Sequence, residues 1–461
     1  MQKRILSILL ALALGCSLPA TVAFAEENGG GTAQTAEQGP AEETLPAETL
    51  PEETRTTGAA AEKTAPADST ETGAVNTDLT VAQPDAVGTI SFANLETRVR
   101  EHNLTIQMLE ASIASIDAKD FDKMQEDLRK QLNNIAKLQY LVLTTPPEYT
   151  DAILGEIGME GATYSSLQAS YDALKDTFDD LKEGKIQGDA AAVVRQLENT
   201  EDQLVMGAET VYVSLRELTA ARDSVQRTLT ALGRTEREME LRYSMGQISA
   251  LQLQQVKNGR AQAESGLATL EMNLDNLTAQ LESMIGAEIT GQLTLGALPG
   301  VPAEKLAAMD YEKDLAAAKT ASYALFAAQR DLDDAKEAYD DACDKYGVNN
   351  YNRKSAQHTW EAAQYTYQAA VQAQELKFRT VFNAVGDSRQ ALQAAETALA
   401  LQKDTYSSME LKYQQGTISQ NKLLDAKDDL AAAQDTVDTA RRNLFTAYRN
   451  YVWAVEKGIL N

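Results

Sequence analysis

Histidine and cysteine are nearly missing from this chain, with two of each in 461 residues. His102 and His358 fall in separate helical patterns, and neither has a second histidine or a cysteine three or four residues on. No zinc-type site follows from them. Cys16 lies in the N-terminal leader, which leaves Cys343 without a partner. That excludes a disulfide framework and reads as a small half-buried helix residue; a disulfide-linked dimer in an oxidising compartment is the alternative. Sustained strand alternation is absent, and with it any glycine-rich phosphate loop following a strand. Asp331, Asp333, Asp334, Asp340 and Asp341 have a calcium-like composition. They lie inside a helical pattern, however, without the glycine of a calcium loop, and read as a solvated face. Catalytic residues, cofactor-binding residues, metal ligands and cofactors are therefore all expected to be none. Basic residues are also scarce, 42 against 68 acidic, for a net charge of −26. A polyanion repels nucleic acid and anionic lipid, so neither is an expected partner.

Proline is confined to a few places, and its distribution divides the chain. Residues 1–25 read as a secretory signal: Lys3 and Arg4, an apolar run from Ile5 to Leu14, then Pro19 and a cleavage signature ending at Ala25. The run is about ten residues, too short for a membrane helix of about 20. Leu14, Gly15 and Cys16 offer a competing lipid-attachment reading, although Ala13 and Leu14 fit such a box poorly; the chain is exported either way. Residues 26–90 hold 13 acidic and 2 basic residues, five prolines and no aromatic residue, which predicts a disordered acidic spacer. Beyond them, proline occurs only at Pro146, Pro147, Pro299 and Pro302, separating two halves, 91–298 and 303–461.

Each half carries the same phrase. Tyr243, Gly246, Ile248 and Ser249 return at the same spacing as Tyr413, Gly416, Ile418 and Ser419, and the ungapped alignment from Leu241 to Gly286 keeps 12 identities in 46 pairs. A long helix ends at glycine, a short polar turn follows, and serine caps the next helix. Downstream, Leu423, Ala426, Leu430, Ala433, Val437, Ala440, Leu444, Ala447, Tyr451 and Ala454 alternate three and four apart, a heptad seam. Leu253, Val256, Ala263, Leu267, Leu270, Leu274, Leu277, Leu281 and Met284 repeat it, with Arg260 the one polar rung, and a third ladder runs from Tyr311 to Tyr346. These patterns predict an all-α fold of long antiparallel coiled-coil hairpins in two internal repeats. Helices are expected near 92–143, 163–183, 189–243, 249–285, 303–345, 354–412 and 419–457, with boundaries good to about two to four residues. Turn chemistry accounts for the glycines and serines. An isoleucine between the caps of both turns is expected to be exposed and to join a docking surface made of Gly246, Gln247, Ile248 and Ser249 with Gly416, Thr417, Ile418 and Ser419.

With these turns in view, the chain resembles the TolC family of outer-membrane efflux ducts. The second copy carries the likeness furthest: Lys412, Tyr413, Gly416, Ile418 and Ser419, then Leu423, Leu424, Asp425 and Ala426, then Ala431 to Gln434. Phe92 to Leu95, with His102 and Asn103, resembles the family's opening helix. The resemblance implies three protomers closing a twelve-helix TolC-like barrel, with both turns at its tip, where a membrane-fusion or adaptor protein docks. It also implies a membrane β-hairpin in each half, and here the sequence departs. The second half offers only Gly347–Arg353, and the first half a short helix at 163–183, so no transmembrane β-barrel is expected. The implied function is an exported duct or docking component of an envelope efflux or export system. A secreted coiled-coil spacer or cell-surface protein without transport activity is the alternative.

Overall fold

A computed structural model describes residues 85–146, 149, 154–155 and 163–460. The expected signal segment with Cys16 and Ala25, the spacer as far as Pro84, and most of the 145–162 connection lie outside these residues. Eleven helices are ordered as α1 (Phe92–His102), α2 (Leu104–Asp117), α3 (Phe121–Thr144), α4 (Tyr164–Lys182), α5 (Lys185–Ser244), α6 (Ala250–Met284), α7 (Ala303–Ala307), α8 (Tyr311–Ala321), α9 (Tyr323–Lys345), α10 (Tyr351–Gln414) and α11 (Gln420–Lys457) among the described residues. At 1.5 Å per residue, the 60 residues of α5 and the 64 of α10 make rods about 90 and 96 Å long.

The all-α expectation holds, with one addition. Strand β1 (Thr89–Ile90) pairs in parallel with β2 (Thr294–Leu295). Ile90 is fully buried, and the Asp85 carboxylate accepts the Ser91 N–H at 2.9 Å. Residues 85–90, expected to belong to the spacer, thus pack on the helical body through one buried isoleucine.

Two helices expected as continuous are broken. The span 92–143 becomes α1, α2 and α3, and 303–345 becomes α7, α8 and α9. At the first break, Asn103 Oδ1 accepts from the N–H groups of Thr105 (2.9 Å) and Ile106 (3.2 Å), while its Nδ2 donates to the Met284 carbonyl at 2.9 Å. Asp120 caps α3 by accepting from Lys123 N, Asp310 caps α8 through Lys313 N, and Ser322 caps α9 through Leu325 N. Each residue competes with the helix for its own backbone, as short polar side chains do. Two breaks also receive a glycine. A Cβ on Gly286 would stand 2.5 Å from the His102 carbonyl oxygen, and one on Gly458 would stand 2.3 Å from Ser322 N; both glycines have positive φ. The end of α6 thus lies against the α1–α2 break, and the end of α11 against the α8–α9 break.

Helices α5 and α6 form one long hairpin and α10 and α11 another, joined where α5 packs on α11. Among these four the order is α6–α5–α11–α10. Helices α1 and α2 lie on α5, α8 lies on α10 and α11, α9 lies on α10, and α3 pairs with α4. Every rung of the two downstream ladders is buried or half-buried; Arg260, the polar rung, is exposed and pairs with Glu236 at 2.8 Å and Glu264 at 2.9 Å. The third ladder runs inward only as far as Ala342, since Tyr346 is exposed. One core gathers Ile90, Leu95, Val99, Val205, Tyr212, Leu215, Leu281, Trp453 and Ile459. A second collects Ala318, Phe378, Val385, Leu444, Tyr451 and Ala454. In the seam between α5 and α11, buried Glu209 accepts from Arg449 Nε at 3.0 Å and Trp453 Nε1 at 2.9 Å.

The chain after α6 is shaped by another buried carboxylate. Glu282, 1% exposed, accepts from the backbone N–H groups of Thr290 (2.8 Å), Gly291 (2.9 Å) and Gln292 (3.2 Å), and from Thr290 Oγ1 (3.0 Å). Burial pushes its pKa up, but these hydrogen bonds, with Gly291 N–H foremost, outweigh it and hold the group below its ordinary value of 4.5. A depressed carboxylate stabilises the fold above its unfolded pKa and loses that contribution as pH falls through the folded value. Urea unfolding as a function of pH is therefore expected to show a fall in stability below about pH 4.5 that is smaller in Glu282→Gln, with Glu282→Gln the less stable protein at pH 7. Parallel wild-type and variant curves would contradict this role.

The paired helical turns

The two turns are built alike, bond for bond. After α5, Gly246 has φ +71°, its N–H donates to the Tyr243 carbonyl at 2.9 Å, and Gln247 N donates to the Arg242 carbonyl at 2.9 Å. After α10, Gly416 also has φ +71°, its N–H reaches the Tyr413 carbonyl at 2.8 Å, and Thr417 N reaches Lys412 O at 2.9 Å. This pair of bonds is the Schellman C-cap, which satisfies the last carbonyls and favours glycine at the left-handed position. Ser249 and Ser419 then start α6 and α11 in extended conformation, accepting from Gln252 N at 3.3 Å and Lys422 N at 3.4 Å. Only the first turn has a full capping box, since Gln252 Oε1 accepts the Ser249 N–H at 2.9 Å and a lysine has no acceptor to offer at 422.

The side chains sit differently from the sequence expectation. Gly246, Gln247, Ser249, Gly416, Thr417 and Ser419 are exposed, but Ile248 and Ile418 are half-buried. Ile248 lines a cleft between α5 and α6 with Leu232, Met239 and Val256. The positions explain this. Each isoleucine immediately precedes the capping serine, and the half-buried leucine four residues after that cap, Leu253 or Leu423, stands where a hydrophobic staple needs it. Ile248 thus packs within its own hairpin, and Ile418 holds the equivalent half-buried position.

The exposed apolar surface near the turns comes from other residues. Leu241 (60%), Tyr243 (46%), Met245 (54%) and Leu251 (69%) surround the first, and Leu411 (58%) and Tyr413 (39%) the second. The sequence held a signal for these. Leu241 and Leu411, like Tyr243 and Tyr413, are identical pairs of the duplicated phrase that no capping rule demands, and Leu251 stands off the ladder that starts at Leu253.

Ion pairs tie the two hairpins together above the turns. Arg234 binds Asp428 and Arg227 binds Asp435, a step of seven along α5 matched by seven back along α11, and Asn421 Nδ2 donates to Glu238 at 3.0 Å. Such half-exposed pairs contribute about 0–1 kcal/mol each. Among the described residues no group of three or more His, Cys, Asp or Glu converges to hold a metal ion, and no helix is long and apolar enough to cross a membrane. His358 pairs with Glu361 at 3.1 Å, His102 lies 3.9 Å from Glu101, and Cys343 is half-buried and unpaired. The acidic run Asp331, Asp333, Asp334, Asp340 and Asp341 is exposed along α9.

The burial difference gives a direct test. Ile248→Asp with Ile418→Asp is expected to lower the melting temperature, because each places a charge where a staple packs. Tyr243→Asp with Tyr413→Asp should stay within about 0.5 kcal/mol of wild type per site, as surface changes do. Equal melting of the two double variants would show that the isoleucines hold nothing.

No protein-family model matches the chain. No curated protein matches it. Solved structures do, as likenesses of backbone arrangement. The outer-membrane channel OprN matches at 12% identity with a TM-score of 0.47, covering 79% of this chain and 89% of its own. The outer membrane protein VceC from Vibrio cholerae matches at 13% identity and a TM-score of 0.42, covering 79% and 95%. The open state of the Neisseria gonorrhoeae MtrE outer membrane channel matches at 14% identity and a TM-score of 0.42, covering 79% and 88%.

Proposed function

We propose that the chain is an exported, non-enzymatic, TolC-like component of a cell-envelope efflux or export system, in which three copies close a helical duct and the paired turns face an adaptor protein. The observation that carries this reading is the order α6–α5–α11–α10, a layer of four long helices bounded by α6 on one side and by α10, with the shorter α9 packed on it, on the other. A layer with unlike edges closes by placing the α10 edge of one copy against the α6 edge of the next, a heterologous contact that makes a ring when its rotation closes. Both edges have apolar surface to bury. Tyr351 (77%), Tyr365 (71%), Leu376 (68%) and Leu401 (69%) fall within about 40° of one line along α10 at 100° per residue, and α6 exposes Leu251 and Met272.

The connection from α9 to α10 is the short turn Gly347–Asn350, closed by Asn350 N donating to the Gly347 carbonyl at 2.9 Å. No membrane hairpin stands there, which supports a helical duct or docking element that does not itself form a β-barrel. The sequence resemblance supplies the adaptor as the partner for the turns. Exposed Tyr243, Met245, Leu251, Leu411 and Tyr413 supply the surface, with Gly246–Ser249 and Gly416–Ser419 as its frame.

Native mass spectrometry of the purified protein decides the ring. A complex of three chains is expected, and Leu376→Glu with Leu401→Glu should shift it to single chains while helical circular dichroism is retained. A wild-type monomer or two-fold dimer would replace the duct with the spacer reading.

A further inference from the structure

Where the linker between the halves crosses the α5–α11 seam, it roofs a cavity of about 820 Å3. Four arginines line it, Arg216, Arg227, Arg441 and Arg442, in a chain whose net charge is −26. Three carboxylates line it too, and each is already engaged. Asp435 binds Arg227, Asp438 lies 3.5 Å from Arg441, and Asp223 is held by Arg222 at 2.8 Å. Arg441 has a second partner in Glu396 at 3.2 Å. Two guanidinium groups are left over. Arg216 has no hydrogen-bond or ion-pair partner among the described residues. Arg442 donates from Nη2 to Thr439 Oγ1 at 2.8 Å, while its Nε is buried without a partner among them.

These two groups belong to one level of the seam. Stepping the Glu209–Arg449 pair down by seven residues along both helices sets Arg216 opposite Arg442, above the Arg227–Asp435 pair. Two half-buried cations across one seam repel each other, and an unsatisfied buried N–H adds a further cost. The cavity wall also contains Ala297, Leu298, Gly300 and Val301, whose backbone N–H groups have no hydrogen-bond partner among the described residues. Ala297 and Gly300 are exposed to solvent, so the unmet donors of the cavity are its two guanidinium groups.

We propose that this cavity binds a tetrahedral oxyanion, a phosphate or phosphate ester, between Arg216 and Arg442. A phosphate offers oxygens in more than one plane and so accepts two guanidinium forks and linker N–H groups together, whereas a carboxylate has two oxygens in one plane. The volume exceeds that of a free phosphate and leaves room for the organic part of an ester. The site is independent of ring closure and of the turns.

Melting of the full-length protein in sodium phosphate, against sodium chloride of equal ionic strength, tests it. A ligand that binds only the folded state raises the melting temperature with the logarithm of its excess over Kd. The wild type is expected to show such a rise with inorganic phosphate, and Arg216→Gln and Arg442→Gln to lose it. In chloride, each variant should melt no lower than wild type, since like-charge repulsion has been relieved; a residue held only by packing would melt lower in both salts. Glycerol phosphate is the second arm. A shift equal to that of phosphate assigns recognition to the free anion, and a larger one assigns the remaining volume to an ester. Independently of the variants, the 31P line of inorganic phosphate should broaden with wild-type protein and sharpen again with excess sulfate. A wild-type melting temperature indifferent to phosphate, a rise of the same size in both variants, or an unbroadened 31P line overturns the proposal.

Discussion

Glu209 is buried in the α5–α11 seam, and both of its oxygens are held by α11, through Arg449 and Trp453. Each half's own hairpin follows from its ladder, but joining the hairpins requires this seam, and the seam is anchored here. The arrangement is demanding as well as stabilising. Removing one partner of a buried pair leaves an uncompensated charge and costs about 3–5 kcal/mol, whereas an apolar replacement of the whole set is often neutral. What the carboxylate contributes is therefore register. Arg449 Nε and Trp453 Nε1 sit one helical turn apart on α11 and can meet one glutamate only when α11 has slid to a single position along α5. The ion pairs Arg227–Asp435 and Arg234–Asp428 join the same two helices lower in the seam.

Much of this fold is written in the sequence in a form that periodicity reads. The ladders after Ser249 and Ser419 face inward along their whole length, and the glycine and serine of each turn take the cap positions that their chemistry favours. The breaks at Asn103 and Ser322 could not be read in the same way. Neither has proline or glycine beside it, and each depends on a glycine far along the chain, Gly286 or Gly458, approaching too closely for a side chain. A local pattern cannot report a partner more than a hundred residues away. Glu282 escapes periodicity for a different reason: its three backbone N–H partners are close in sequence, but they belong to a loop that has no motif of its own.

At the turns the expected exposure of Ile248 and Ile418 gives way to half-burial. Duplication of Ile248 and Ile418 drew attention to an isoleucine as a surface feature, but a residue just before a helix cap has local work to do. Leu241 with Leu411 and Tyr243 with Tyr413, also duplicated, lie in the last turns of α5 and α10 and are exposed.

The location of Trp453 and Ile459 has a consequence for the order in which the molecule forms. Both belong to the core whose other members come mostly from the first half, among them Ile90, Leu95, Val205, Tyr212 and Leu281. A chain emerging residue by residue can close the Gly286–His102 approach early, yet that half keeps an open core until the last turn of α11 arrives. Completion is thus deferred until α11 has docked on the first half, a non-local contact of the kind that slows folding.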